Sequence, residues 1–282
     1  MAINRSILWR SCTKRSNMID KYIICTQDRM ERNSESYKEK FKEFEVFCAI
    51  EPKVENLEKL LSNETISLKT ALNLKNKFRN SDLQMNYIGS VGCSLSHIEL
   101  WKMCVKANKP FLIVEDDVVP SDNLFFELDE VVDLLKSDNY FIHLLGWTKV
   151  FVNMRSAIYT SSSKTLFQLP NSHPPFPCGT QAYLVTPKVA KILLKHAFPI
   201  SFHVDAYITI VLSYFSSEID SYYVHSRKGP FKAFKKEGNL GNCTHYVAPN
   251  KTYSENSLES KIIFFIETCF KKFRRILNRF LY

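Results

Sequence analysis

The stretch Phe111-Leu112-Ile113-Val114-Glu115-Asp116-Asp117-Val118-Val119-Pro120 decides the fold. Apolar residues run without alternation into three consecutive carboxylates, the pattern of a strand buried on both faces of a parallel α/β sheet. Ligands of such sheets collect beyond the carboxyl ends of the strands, where these acids fall. In extended backbone Glu115 and Asp117 point to one side and Asp116 to the other. Carboxylates this close repel one another. A hard divalent cation carrying a phosphate-bearing ligand offsets that repulsion, because Mg²⁺ and Mn²⁺ take oxygen ligands. A solvated acidic turn closing the strand is the plain alternative, and the flanking residues decide between the two.

Upstream, Gly89-Ser90-Val91-Gly92-Cys93 reads as a tight turn, and an amphipathic helix follows from Ser94, with Leu95, Ile98, Trp101 and Val105 at helical spacing. The N-terminus of such a helix is a ready anion site, and His97 sits in its first turn as a structural or a ligand-facing residue. Further upstream, 22–26 and 46–50 read as strands separated by a charged helix over 35–45. Arg29 and Arg32, in the segment after the first strand, are placed to meet a diphosphate or ribose, or else belong to a solvated helix start. Residues 53–87 read as a polar excursion of short helices. Downstream come a helix over 123–136 and a buried strand over 140–147. Pro170, Pro174, Pro175 and Pro177 mark a loop, and a strand over 179–186 follows. Helices over 188–197 and 206–215 precede a last strand and basic loop over 221–228. The repeated strand–helix–strand order implies one α/β domain with a Rossmann-like, mostly parallel sheet flanked by helices.

At 282 residues the chain can bury a full core. Its seven glycines are few against an average expectation of about twenty, so Gly89, Gly92, Gly146 and Gly179, all beside motifs, mark backbone positions that need them. The net charge of +9 gathers at the ends. Residues 1–17 hold Arg5, Arg10, Lys14 and Arg15 and no acid, and residues 257–282 are strongly basic. A nucleic-acid binder spreads its basic residues over a folded face, so no nucleic acid is expected. The eight cysteines are scattered with no C-x-x-C pair, which fits reduced thiols in a cytoplasmic compartment. No signal-peptide core or transmembrane run is evident.

The blocks Gly92-Cys93-x-Leu95-Ser96-His97-x-x-Leu100-Trp101 and Leu112-Ile113-Val114-Glu115-Asp116-Asp117, at this spacing, resemble glycosyltransferase family 25. Ala182-Tyr183-Leu184-Val185-Thr186, the Val204-Asp205 pair and the arginines after the first strand agree in order. The resemblance covers roughly residues 20–230 and implies a GT-A type fold, a UDP-sugar donor (usually UDP-galactose), a divalent metal, Mn²⁺ or Mg²⁺, and inversion at the anomeric carbon. It places Glu115, Asp116 and Asp117 on the family's DxD-like motif, with Glu115, Asp117 and His225 toward the metal. Arg29, Arg32, Ser96, His97 and Asp116 fall on the donor side. Asp205 is the expected catalytic base, or else the N-cap of the helix over 206–215. Cys25-Thr26 departs from the usual Asn-Leu of the family. The acceptor is expected to be a glycan, a lipid-linked glycan or a protein. A metal-dependent phosphoesterase and a non-enzymatic membrane-surface adaptor are the alternatives.

The organisation expected is a basic flexible arm over 1–17, a glycosyltransferase domain over 18–250 and a basic amphipathic helix over 251–282. On a helix, Ile262, Phe265, Ile266, Phe273 and Leu277 share one half with the other large apolar residues of 261–281, while Lys271, Lys272, Arg274, Arg275 and Arg279 fill the other. That pattern suits a helix lying on an anionic membrane surface, peripheral on the inner face, or one packed on its own domain.

Overall fold

The structure, a computed structural model, describes residues 19–26, 35–76, 85, 87–120, 138–145, 158–159, 166–168, 179–224 and 230–233. The chain divides into two compact units, Met1–Gly238 and Asn239–Tyr282, and every described residue belongs to the first. The arm over 1–17, the helix over 123–136 and the segment 251–282 lie outside the described residues.

In chain order the strands are β1 Asp20–Cys25, β2 Glu45–Cys48, β3 Phe111–Glu115, β4 Val118–Pro120 and β5 Tyr140–His143. They continue with β6 Ile158–Tyr159, β7 Leu166–Gln168, β8 Ala182–Val185, β9 Asp220–Val224 and β10 Phe231–Ala233. The helices are α1 Glu35–Lys40, α2 Leu57–Ser62, α3 Leu68–Asn76, α4 Ile88–Ala107, α5 Pro187–Lys195 and α6 Val204–Tyr214. An eight-stranded sheet has the order β2-β1-β3-β8-β5-β9-β7-β6, and β10 pairs with β4 apart from it.

β3 lies inside this sheet and is fully buried from Phe111 to Val114. It runs parallel to β1, with Val114 opposite Ile23, and β1 runs parallel to β2. On its other side β8 is antiparallel, with Ile113 opposite Tyr183. β8 is antiparallel to β5 as well, and β5 is parallel to β9. Thus β2, β1, β3, β5, β9 and β6 run one way while β8 and β7 run against them. The sheet is mixed, with six strands sharing one direction and the strand at 182–185 among the two that oppose them. Between β5 and β8 the described chain forms β6 and β7, at the far edge of the sheet.

The alternation along β3 divides the core. Phe111 and Ile113 join Tyr22, Ile24, Tyr183 and Val185 under α4, α5 and α6. Leu112 and Val114 join Ile23, Ile142, Leu184 and Val224 on the other face, where Phe41 and Phe44 pack. Those two phenylalanines meet edge to face at 5.1 Å. Their burial ends α1 at Lys40, short of the helix read over 35–45.

α4 begins at Ile88, so both glycines of the expected turn lie within a helix. The anion site expected at a helix N-terminus beside Ser94 is corrected: by then the backbone N–H groups are in the helix interior. Gly92 is needed for close approach instead. A Cβ there would lie 2.3 Å from the Ile50 carbonyl oxygen and 2.8 Å from the Pro52 ring. The helix ends where Asn108 adopts φ 52° and its N–H returns to the Val105 carbonyl, two residues before Pro110.

Two predictions follow from this packing. Gly92→Ala must push the backbone at Ile50 away from α4, and should cost about 1–3 kcal/mol, read as a lower urea midpoint. An unchanged midpoint would show that the contact yields freely. The second concerns His143, 4% exposed, between Phe141 and Tyr223 at ring distances of 4.7 and 4.8 Å. Among the described residues neither of its ring nitrogens has a hydrogen-bond partner. Burial pushes this imidazole down from 6.5 to about 3. The unfolded chain therefore binds a proton here that the native state refuses, and stability falls as pH drops from 6.5 toward 3. His143→Phe should flatten that fall in an acid titration followed by circular dichroism; an identical acid slope in both proteins would contradict it.

Candidate active site

The backbone of β3 holds its register to the last residue, where the Glu115 N–H donates to the Gln181 carbonyl at 2.8 Å. That bond brings the start of β8 beside the Glu115 carboxylate. Gly179, at φ 57°, turns the chain just before it, and Thr180 then donates its hydroxyl to Glu115 Oε1. The same oxygen lies 3.3 Å from His97 Nε2. The other ring nitrogen, Nδ1, is 2.8 Å from the Tyr183 hydroxyl, to which Trp101 donates its indole N–H at 2.9 Å. His97, Trp101 and Tyr183 are all fully buried, whereas the Glu115 side chain is 24% exposed. Burial drives the Tyr183 phenol well above its ordinary range, with the Glu115 charge adding to the effect and the Trp101 bond opposing it. It stays protonated and able to donate.

Cys93, His97 and Trp101 recur every four residues on α4 and so share one side of the helix. This side faces β8 and the end of β3. Cys93 Sγ, a ring nitrogen of His97 and a Glu115 oxygen all lie within 4.8 Å of one another.

After Glu115 the chain turns at Asp116 and Asp117 before β4. The expected alternation of the three acids on an extended backbone is therefore corrected: extension stops at Glu115. Glu115 faces α4, Asp116 Oδ2 accepts from the Cys25 thiol of β1 at 3.3 Å, and Asp117 is exposed. The three acids thus stand in succession at the carboxyl end of β3 with their carboxylates turned to different neighbours, and carboxylate oxygens are hard donors of the kind that Mg²⁺ and Mn²⁺ select.

Ser96 lies elsewhere. Fully buried, it donates to the Gly92 carbonyl at 2.8 Å and accepts from the Ile50 N–H at 2.8 Å. Its hydroxyl ties the loop after β2 to α4 beside Gly92. Asp205 stands in the first turn of α6, where Oδ1 accepts from the Ala206 N–H at 2.8 Å. The helix starts at Val204 with His203 in the cap position, so the N-cap alternative for Asp205 is corrected. A carboxylate in a first helical turn is favoured by the helix dipole. Arg29, Arg32 and His225 lie outside the described residues.

Thr180, Tyr183, Trp101 and Cys25 are site residues that reading the sequence did not single out for contact with the acids. The four-residue recurrence of Cys93, His97 and Trp101 was a usable signal. Thr180 had none, since its place depends on the pairing of β8 with β3.

The family model of glycosyltransferase family 25, described as an LPS biosynthesis protein, matches residues 18–208. The chain belongs to glycosyltransferase family 25. As a family 25 member it is a glycosyl-transferring enzyme, and the match contains both α4 and the acids ending β3. Among curated proteins no sequence matches it. One solved structure, of a glucose-1-phosphate thymidylyltransferase from Bacillus anthracis in complex with a sucrose, shares 13% identity. It covers 76% of this chain and 89% of its own, at a TM-score of 0.31, too distant to carry an argument. Among the described residues no helix is long and apolar enough to cross a membrane.

Proposed function

We propose that this family 25 enzyme transfers a hexose, galactose by preference, from a UDP-sugar to a hydroxyl of a glycan, lipid-linked or protein acceptor. The reading includes a GT-A type fold, a divalent metal and inversion at the anomeric carbon. The observation that carries it is the position of Glu115, Asp116 and Asp117 at the carboxyl end of a doubly buried strand inside the sheet. A ligand bound beyond the strand ends meets these groups first.

Glu115 and Asp117, with His225, would hold the metal, Mn²⁺ or Mg²⁺. The bound metal supplies Lewis acidity toward the negative charge that UDP acquires as it leaves. The residues of the chain do the rest. Arg29 and Arg32 are assigned to the diphosphate, and Asp116, fixed by the Cys25 thiol, to the donor side. Inversion in a single displacement needs a base for the proton of the acceptor hydroxyl, and Asp205 is assigned that task. An anionic membrane surface as a partner rests on the sequence of 251–282 alone.

Asp117→Asn keeps the shape of an exposed turn residue and removes its charge. With UDP-galactose and a glycan acceptor, the variant should lose transfer while its circular dichroism is unchanged; near-normal turnover would remove Asp117 from the site. Asp205→Asn should lower turnover by about 10²–10⁴-fold with donor affinity retained. Loss of donor binding instead would move Asp205 to the donor side. Analysis of the products separates the phosphoesterase alternative, which releases phosphate and elongates no acceptor.

A further inference from the structure

We infer that His97 is a positioning residue: Trp101, Tyr183 and His97 form a one-way chain of hydrogen-bond donors that ends on Glu115 and fixes its carboxylate. The inference deepens the proposed role of Glu115 and rests on it.

The direction of the chain comes from counting protons. The indole N–H of Trp101 can only donate, so the Tyr183 hydroxyl accepts at that contact, 2.9 Å long. Tyr183 is fully buried and carries one proton of its own, and its other contact is His97 Nδ1 at 2.8 Å. If Tyr183 donates there, Nδ1 is the unprotonated nitrogen and the proton of the neutral ring sits on Nε2. That N–H then points at Glu115 Oε1, 3.3 Å away. The opposite tautomer fails twice. It would leave the Tyr183 proton without an acceptor in a dry interior, and it would set the Nε2 lone pair against a carboxylate oxygen. A doubly protonated ring would strand the same phenolic proton.

With Thr180 donating to the same oxygen, two donors from different elements hold Oε1. Rotation of the carboxyl group would break both bonds. Histidines that support a ligating group in this way act through the second ring nitrogen, and here a tyrosine sets which nitrogen that is. A competing occupant exists for the same geometry. Cys93, His97 and Glu115 stand within 4.8 Å of one another, and a thiophilic metal there would displace the Nε2 proton.

The experiment uses the full chain labelled with ¹⁵N in its histidine rings, the His97 signals being assigned by their loss in His97→Gln. Nitrogen shifts of a neutral ring protonated at Nε2 are expected, with the ring altered in Tyr183→Phe. A ring protonated at Nδ1, or at both nitrogens, overturns the inference. So does a metal that co-purifies with the protein and is released by Cys93→Ser. The functional arm measures Mn²⁺-dependent binding of UDP. His97→Leu should weaken it by about 10–100-fold, and His97→Gln, whose amide N–H can stand in for Nε2–H, should recover most of that. Equal losses in both variants reduce His97 to a packing residue and overturn the inference. Glu115→Gln distinguishes the two readings: if it leaves UDP binding unchanged, the role proposed for Glu115 falls, and the tautomer alone then judges the donor chain.

Discussion

A carboxylate at the end of a strand buried on both faces must be held, and the grip on Glu115 is the interaction on which the rest of the site depends. Hydrogen bonds to a charged group contribute about 1.5–3 kcal/mol each. An ion withdrawn from water without them loses several kcal/mol of solvation. Glu115 meets this with two donors on one oxygen, His97 from α4 and Thr180 from the approach to β8. The position of the carboxylate is therefore set jointly by the helix and by the antiparallel strand, not by β3 alone.

The same helix carries the other constraints. Gly92 lets the loop after β2 lie against it, and Ser96 bonds the backbone of that loop. Trp101 and His97 reach the opposite neighbour, Tyr183. α4 thus joins the loop beyond β2 to the end of β3 and the middle of β8. Its contacts reach segments on either flank of β3, and the Cys25 thiol on Asp116 adds a direct tie to β1.

The stretch 111–117 was legible because its chemistry is local. Apolar residues without alternation required burial on both faces, and the structure leaves Phe111–Val114 with no exposure. The blocks around it were specific enough to name the family. The glycines of 89–92 were misread because glycine serves both tight turns and close helix contacts, and sequence alone does not say which. The Cβ that would strike Ile50 lies across a contact far apart in the chain. The direction of β8 was out of reach for a related reason: alternation of apolar residues reports burial, not polarity, and its partners are β3 and β5. His97 was singled out without a role, since the role depends on Thr180 and Tyr183 arriving from β8. Local chemistry was readable, then, and the pairings that bring distant segments together were not.

The central claim is that the acids ending β3 serve a metal-assisted site for a nucleotide-linked sugar. Calorimetric titration of the protein with UDP, in the presence of Mn²⁺ and again in its absence, tests that claim most directly. The account predicts saturable binding with the metal and marked weakening without it. Binding of equal strength in both titrations, or none in either, would contradict it.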